Sequence, residues 1–314
     1  MTRHAAPRRG FTLIEVLIVI AIIAIMAGLL VVTIGKVTST AKTAQTSAEI
    51  AQIANAIGAY KSKMQVQYIP SCGAGGTGGG LFRLRSLYAG NEPEAVYLKS
   101  VWPQLPGCTG IKGESTGLPD ADLDCNQTLV FFLTGGNVTN FQGFSTNRTN
   151  PFTRPAVGST ESRIGPFLNF PANRYAKGSA VTGARTDVSA LLDPFGSPFA
   201  YFAFNPVVNT YKAPNPTTGA YTVEQGFAFN GTNVTPYILN NKYLEPKGFQ
   251  IISAGENGKD DQTTLQVGPP AIYAAGFGPG GAGWTPRTGS YAEGASGADD
   301  IANFNGNGKL ITQN

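Results

Sequence analysis

Histidine is almost absent from this sequence, since its single copy is His4, within the first ten residues. Histidine is the usual general base near neutral pH and a frequent zinc ligand, so the rest of the chain offers neither a serine-hydrolase type of triad nor a histidine-based metal site. No recognisable nucleophile motif is present either. The sequence therefore predicts that the protein is not an enzyme.

Charged residues are also scarce, at 13% of the chain. There are 23 Lys and Arg against 19 Asp and Glu, and Arg3, Arg8 and Arg9 all lie in the first ten residues. Beyond that segment the chain is nearly neutral. Non-specific binding to phosphates needs several clustered cations, so no nucleic-acid partner is expected.

Cysteine occurs three times, so at most one internal disulfide can form. Cys108 and Cys125 share one turn-rich segment, whereas Cys72 lies in a separate one. The expected disulfide is therefore Cys108–Cys125. The alternative is three unpaired thiols.

A long apolar run is the most prominent feature that the sequence does contain. Residues 11–35 read FTLIEVLIVIAIIAIMAGLLVVTIG, with Glu15 as the only charge. As a helix, this run would span about 37 Å, enough to cross a hydrocarbon core of about 30 Å. The cationic residues 1–10 before it should stay on the cytoplasmic side, which places the remainder of the chain outside.

The start of this run resembles the processing site of type IV pilins and type II secretion pseudopilins. The matching residues are 8–15, RRGFTLIE. The resemblance implies that prepilin peptidase cuts between Gly10 and Phe11, that Phe11 is then N-methylated, and that Glu15 is the glutamate used in assembly. It also implies a bacterial inner-membrane protein with a periplasmic C-terminal part, assembled into a periplasmic or cell-surface fibre.

Glu15 is also unusual on physical grounds, because a carboxylate in an apolar membrane helix costs about 2.5 to 3.5 kcal/mol and needs a partner. The expected partner is the freed amino group of Phe11 on a neighbouring subunit. The alternative is that Glu15 reaches the lipid head groups.

The helix is expected to continue over residues 36–69 with two apolar faces. One face is rich in alanine (Val37, Ala41, Ala44, Ala48, Ala51), and the other carries larger side chains (Ile50, Ile53, Ile57, Tyr60, Met64). The alanine face should pack on other subunits, and the isoleucine face on the globular part. The alternative for the lower residues is a single broad face that packs on the core. Pro70 and the glycine-rich residues 73–80 should end the helix.

The rest of the chain is punctuated by Gly and Pro, and it predicts an α+β fold. We expect a long N-terminal helix packed on a C-terminal antiparallel β-sheet with long loops, the pilin fold. Residues 81–175 are expected to form loops and short strands. The expected regions are a prepilin leader (1–10), a transmembrane and polymerisation helix (11–35), a periplasmic helix half (36–69), a loop-rich insertion (70–190), and a β-sheet and C-terminal loop region (191–314).

Three C-terminal segments resemble the major pseudopilins of type II secretion systems. They are DPFGSPFAY (193–201), GFQIISAGENGKDD (248–261) and GADDIANF (297–304). In those relatives the last two segments form a calcium loop, and calcium prefers carboxylate and carbonyl oxygens. The resemblance gives the candidate ligands Asn257, Asp260, Asp261, Asp299 and Asp300. The alternative is a solvated acidic loop.

The resemblance implies a structural subunit of a type II secretion pseudopilus, which polymerises through its N-terminal helix to drive protein export. Its partners would be itself, other pseudopilins, prepilin peptidase and an inner-membrane assembly platform. One alternative is a type IV pilin for adhesion, motility or DNA uptake. Another is a membrane-anchored glycan-binding module, with exposed Trp102 and Trp284 stacking on sugars.

Overall fold

A computed structural model describes much of the chain. The described residues are 12–71, 82–135, 142–153, 160–177, 189–214, 220–221, 223–225, 227–229, 232–234, 236, 238–239, 242–243, 245–255 and 301–303. The chain divides into two compact units, residues 1–42 and 43–314.

The described helices are α1 (Leu13–Met64), α2 (Pro93–Val101) and α3 (Cys125–Thr134), with a short 3₁₀ helix at Ala172–Arg174. The described strands are β1 (Phe82–Leu84), β2 (Ala121–Leu123), β3 (Phe144–Ser145), β4 (Arg163–Ile164), β5 (Tyr175–Lys177), β6 (Ser189–Leu191), β7 (Ala200–Ala203), β8 (Lys212–Ala213), β9 (Val223–Glu224), β10 (Phe227–Phe229), β11 (Thr232–Val234), β12 (Ile238–Leu239), β13 (Lys242–Tyr243), β14 (Phe249–Ser253) and β15 (Ile301–Ala302).

In the first unit, the helix exposes its apolar side chains. Leu13 is 83% exposed and Leu29 is 68% exposed, and every described side chain of residues 13–30 is exposed. The backbone stays helical through Gly28 and Gly35. This part of α1 is long and apolar enough to cross a membrane, although a signal sequence near an N-terminus passes the same test.

In the second unit, the isoleucine face of α1 is buried, as expected. Ile50, Ile53, Ile57 and Tyr60 are at most 1% exposed and belong to the hydrophobic core. On the opposite side, Ala44 and Ala48 are exposed.

Helix α1 ends at Met64, earlier than the expected position near residue 69. Gln65 takes a left-handed conformation (φ 57°), and the N–H of Val66 donates to the carbonyl of Lys61 at 3.1 Å. A left-handed residue directly after the last turn is a common way to end a helix. Pro70 and residues 73–80 are therefore not what stops it.

Helix α3 forms the centre of the core and was not expected, since its sequence suggested short strands and loops. All ten of its residues are buried. Asp124 and Gln127 form a capping box at its start, and left-handed Gly135 (φ 102°) ends it. Phe132 packs against Tyr60, Phe82 and Tyr97, with ring centroids 5.3 to 5.9 Å apart. A helix that is buried on every side has no amphipathic period to reveal it.

The main sheet has the strand order β15-β14-β7 and is antiparallel. Phe249 pairs with Ala203, and Ser253 pairs with Ile301. The strands expected at 199–204, 227–229 and 249–253 and the turn at 193–196 are confirmed. The other described strands form antiparallel pairs: β1-β2, β3-β4, β5-β6, β8-β9, β10-β11 and β12-β13. The predicted α+β class, a long N-terminal helix followed by antiparallel sheets, is confirmed.

Side-chain amides extend this sheet at both edges. At one edge, the Asn303 amide accepts from the N–H of Ile251 at 2.7 Å and donates to the carbonyl of Phe249 at 2.9 Å. At the other edge, the Gln225 amide accepts from the N–H of Ala203 at 3.1 Å and donates to its carbonyl at 2.7 Å. These amides supply the hydrogen bonds that a further strand would make.

Candidate functional site: the helix start and the contacts of the globular unit

Glu15 lies in the first turn of α1 and is hydrogen-bonded to Thr12. Glu15 Oε2 accepts from the Thr12 N–H at 2.8 Å and from the Thr12 hydroxyl at 2.9 Å. In return, the N–H of Glu15 donates to the Thr12 hydroxyl at 3.3 Å. This reciprocal arrangement is a capping box, and it satisfies donors that a helix start otherwise leaves without partners. The Glu15 carboxylate therefore has a partner within its own chain.

The sequence analysis missed this contact, although Thr-x-x-Glu ahead of an apolar run is its known signature. Both hydrogen bonds end on the same carboxylate oxygen, Oε2. Gly10 and Phe11, the expected processing residues, lie outside the described residues.

The expected calcium ligands, Asn257, Asp260, Asp261, Asp299 and Asp300, lie outside the described residues. Strand β14 leads into that segment and β15 leads out of it, and their ends pair at Ser253 and Ile301. The segment between them thus leaves and rejoins the sheet at neighbouring positions. Within the described part of the chain, no cluster of three Asp, Glu, His or Cys side chains could hold a metal ion.

The acidic side chains at 120, 122 and 124 make hydrogen bonds and an ion pair within the protein itself. Asp120 accepts from the Ser86 N–H at 2.7 Å, a hydrogen bond that lowers the pKa of its carboxyl. Asp122 pairs with Arg85 at 2.7 Å. Asp124 caps α3. Each carboxylate thus has a structural role.

The expected Cys108–Cys125 disulfide is wrong. Cys108 is a buried free thiol, and burial raises its pKa to about 11. Cys125 is in a disulfide. The two residues are near in sequence, but Cys108 lies in the loop after α2 whereas Cys125 opens α3. The third cysteine, Cys72, lies outside the described residues.

Trp102 is not the exposed sugar-stacking residue that was expected. It is 6% exposed, and its ring lies 5.0 Å from the rings of Phe144 and Phe152. It is a core residue that follows α2. Trp284 lies outside the described residues.

A buried ion pair ties α1 to the segment before β5. The guanidinium of Arg174 donates to both carboxylate oxygens of Glu49, at 2.5 and 2.6 Å, and to the Leu192 carbonyl at 2.5 Å. It also lies 5.8 Å from the centre of the Phe170 ring. A two-pronged Arg–carboxylate contact fixes orientation as well as distance. This pair therefore fixes α1 against the rest of the second unit.

Asn126 joins α3 to the chain around β6 and β7. Its amide nitrogen donates to the carbonyls of Leu191 and Phe199, at 3.0 and 2.7 Å, and its amide oxygen accepts from the Leu191 N–H at 2.7 Å. Asn126 is 1% exposed. One side chain thus satisfies three backbone groups in the interior.

Asp193 connects the 193–197 turn to β14. Its Oδ1 accepts from the N–H groups of Phe195 and Ser197 at 2.9 and 2.8 Å, and its Oδ2 accepts from the Ser253 hydroxyl at 2.6 Å. The carboxyl is 2% exposed, and burial raises its pKa from 3.8 to about 6 despite these donors. The folded state therefore binds this proton more tightly than the unfolded chain does.

The stability of the protein should accordingly depend on Asp193 between about pH 4 and pH 6. Because the pKa of Asp193 is higher in the folded protein than in the unfolded chain, protonated Asp193 stabilises the fold. This contribution of about 3 kcal/mol is fully present below the pKa of the unfolded chain, 3.8, and is lost as the pH rises to about 6. Relative to Asp193→Asn, the wild type should lose about that much free energy of unfolding over this range, measured by denaturant titration at several pH values. Asp120→Asn is the control, because the lowered pKa of Asp120 gives a contribution that is present above about pH 4 and is lost only as the pH falls below that value, so no such loss should appear between pH 4 and pH 6. If the free energies of unfolding of the wild type and Asp193→Asn changed with pH in the same way, the raised pKa of Asp193 would be contradicted.

Comparison with known protein families matches the start of the chain. Residues 6–31 match the family described as the prokaryotic N-terminal methylation motif. The chain thus carries a type IV pilin-like prepilin signal, which implies processing by a prepilin peptidase and indicates a structural subunit. The apolar start of α1 is consistent with membrane anchoring. Comparisons with curated proteins and with solved structures gave no significant match.

Proposed function

We propose that this chain is a structural subunit of a type II secretion pseudopilus, anchored in a bacterial inner membrane with its second unit in the periplasm. The observation that carries the proposal is the methylation motif at residues 6–31, with Glu15 in the first turn of an exposed apolar helix. The three pseudopilin-like segments at the C-terminal end favour this assignment over a surface pilin. Subunits polymerise through α1 and push secreted proteins outward.

Assembly uses a second interaction of the Glu15 carboxylate. Thr12 occupies Oε2, and in the fibre the freed amino group of a neighbouring Phe11 binds Oε1. The carboxylate then bridges its own helix start and the next subunit, which sets the axial register. In a low-dielectric membrane, such a pair replaces the hydration that the two charges lose.

Glu15→Gln is expected to block fibre formation while leaving membrane insertion and cleavage after Gly10 intact. Glutamine still accepts from Thr12 through its amide oxygen, but it carries no charge to hold the amino group. Mass spectrometry of the N-terminus reports processing, and in-membrane crosslinking of subunits reports assembly. Thr12→Ser, which keeps the hydroxyl, is the matched control and should assemble. Wild-type fibre yield from Glu15→Gln would contradict the mechanism.

A strain that lacks the gene distinguishes a secretion pseudopilus from a surface pilus. Deleting the gene should leave exported proteins in the periplasm, visible by comparing culture supernatants. An unchanged set of secreted proteins, with the loss of long surface fibres in electron micrographs, would instead assign a surface pilin.

We also propose a calcium site between β14 and β15, built from Asn257, Asp260, Asp261, Asp299 and Asp300. The proposal is supported by the resemblance of those segments and by the pairing of Ser253 with Ile301, which joins the two ends of the loop. Calcium should raise the melting temperature of the processed protein, and a chelator should lower it by the same amount. The double variant Asp299→Asn, Asp300→Asn should abolish the response, whereas Asp120→Asn should retain it. A melting temperature insensitive to calcium in the wild type would remove the site.

A further inference from the structure

We propose that a pocket in the second unit binds one neutral hexopyranose ring, either a free hexoside or the terminal unit of a glycan. The pocket has a volume of about 290 Å³. Its lining consists of one aromatic ring, one proline, two amides, one ammonium group and a backbone segment: Phe204, Pro206, Gln67, Asn209, Lys247 and Gly248. This inference is independent of the proposed pseudopilus.

Three separate segments of the chain build this pocket. They are residues 65–67 after α1, the turn 204–210 after β7, and the turn 245–248 before β14. The Phe204 N–H donates to the Gly248 carbonyl at 3.0 Å, which joins two of the segments. Asn205 and Thr210 exchange backbone hydrogen bonds of 2.9 and 3.3 Å across the second segment. These hydrogen bonds fix the backbone of the second and third segments, and the side chains of Gln67, Asn209 and Lys247 stand exposed at the pocket.

Each of the three segments contains one residue in a left-handed conformation. These residues are Gln65 (φ 57°), Asn209 (φ 53°) and Glu245 (φ 52°), and no other described non-glycine residue has a positive φ. Such conformations are unfavourable for residues with a Cβ, and they concentrate where a structure holds a ligand site. Of the three, Asn209 lines the pocket, whereas Gln65 ends α1 and Glu245 accepts the hydrogen bond from the Gly248 N–H that closes its turn.

The side chains suit a sugar better than an anion. The amides of Gln67 and Asn209 can both donate and accept, as sugar hydroxyls do, and the Lys247 ammonium donates. Glu245 belongs to the same turn as Lys247, and its carboxylate lies 3.2 Å from where a Cβ on Gly248 would stand. Opposite charges on one turn favour a neutral ligand with hydroxyls.

The apolar part of the pocket comes from Phe204 and Pro206. Phe204 is half-buried and packs on Tyr211, with ring centroids 5.8 Å apart. Its remaining surface can contact the C–H face of a pyranose. No hydrogen bond or ion pair within the described part of the chain engages the side chains of Gln67, Asn209 or Lys247. Ligand pockets usually measure about 300 to 1,000 Å³, so this one fits a single ring.

The test is ligand-detected NMR on the full processed chain in a detergent without a sugar head group. The probes are the methyl glycosides of glucose, galactose and mannose, methyl glucuronide, and trisaccharides that end in each neutral ring. At about 10 mM, a site with a Kd of about 1 mM is about nine-tenths filled. At least one neutral hexoside should bind, and tighter binding of its trisaccharide would identify a glycan end as the source.

Two variants locate the binding. Asn209→Gly removes the amide and suits the left-handed backbone, so the fold should be retained. Lys247→Ala removes the ammonium group. Each should weaken binding at least tenfold, whereas Lys63→Ala, an exposed position on α1, should not change it. The proposal is overturned if no neutral hexoside binds, if only the glucuronide binds, or if both pocket variants bind as the wild type does.

Discussion

Replacing Asn126 by leucine is expected to lower the free energy of unfolding by about 2 to 6 kcal/mol. Leucine keeps the number and branching of the side-chain heavy atoms, so most of the loss comes from two buried backbone groups, the Leu191 N–H and the Phe199 C=O, that lose their partner. The Leu191 C=O still accepts from the Phe199 N–H at 3.3 Å. Each buried unsatisfied group costs about 1 to 3 kcal/mol. Since whole domains are stable by about 5 to 15 kcal/mol, much of the protein should unfold at moderate temperature. Denaturant unfolding followed by near-UV circular dichroism measures the change.

Asn55→Leu is the matched control for this prediction, because Asn55 is exposed on α1. It should change the stability by less than about 0.5 kcal/mol. Asn126→Asp provides a second comparison, since it keeps an acceptor for the Leu191 N–H but turns a carboxylate toward two carbonyls. Asn126→Asp should therefore also lower the free energy of unfolding at neutral pH. An Asn126→Leu variant as stable as Asn55→Leu would show that the amide contacts are not needed.

Arg174→Met is expected to destabilise the second unit by about 3 to 5 kcal/mol, because it leaves the buried Glu49 carboxylate without its cation. Arg174→Lys should also destabilise, since one ammonium cannot reproduce the two-pronged contact or reach the Leu192 carbonyl at the same time. The measurement is the same denaturant titration, and Lys63→Met is the control for removing a cation from the surface.

The double variant Glu49→Leu, Arg174→Met separates two explanations for that loss. If the lower stability comes from the Glu49 carboxylate that is buried without its cation, replacing both partners with apolar side chains should recover most of the free energy of unfolding. A double variant as unstable as Arg174→Met alone would instead assign the effect to packing around Phe170 and Leu192. An Arg174→Met protein with wild-type stability would contradict the role of the pair altogether.

Local patterns were sufficient to predict the elements that depend on neighbouring residues. The apolar run of α1, its buried isoleucine face, the turn at Asp193 and strand β14 all follow from short-range spacing and composition. The Thr12–Glu15 capping box has an equally local signature and could have been found in the same way. Helix α3 could not, because all ten of its residues are buried, and the apolar run Leu129–Leu133 at its centre fits a buried strand as well as a buried helix.

Contacts between distant parts of the chain could not be predicted from one sequence. Glu49 and Arg174 are 125 positions apart, and Asn126 meets Leu191 and Phe199 at separations of 65 and 73. Nothing near any of these residues signals its partner. The same limit explains why the predicted Cys108–Cys125 disulfide is wrong, since that prediction rests on closeness in sequence. It also explains why the sequence did not show that Trp102 is buried. The pocket around Asn209 also depends on three distant segments.

The amides of Gln225 and Asn303 have a consequence wherever copies of the protein meet at high local concentration. Unprotected strand edges would let the globular parts of crowded copies join into continuous sheets, which is a route to aggregation. Here Gln225 occupies the outer edge of β7 at Ala203, and Asn303 occupies the edge of β14 at Ile251. The backbone groups at these points are therefore already hydrogen-bonded and cannot pair with a strand of another copy. Association between copies would then use side chains and helices.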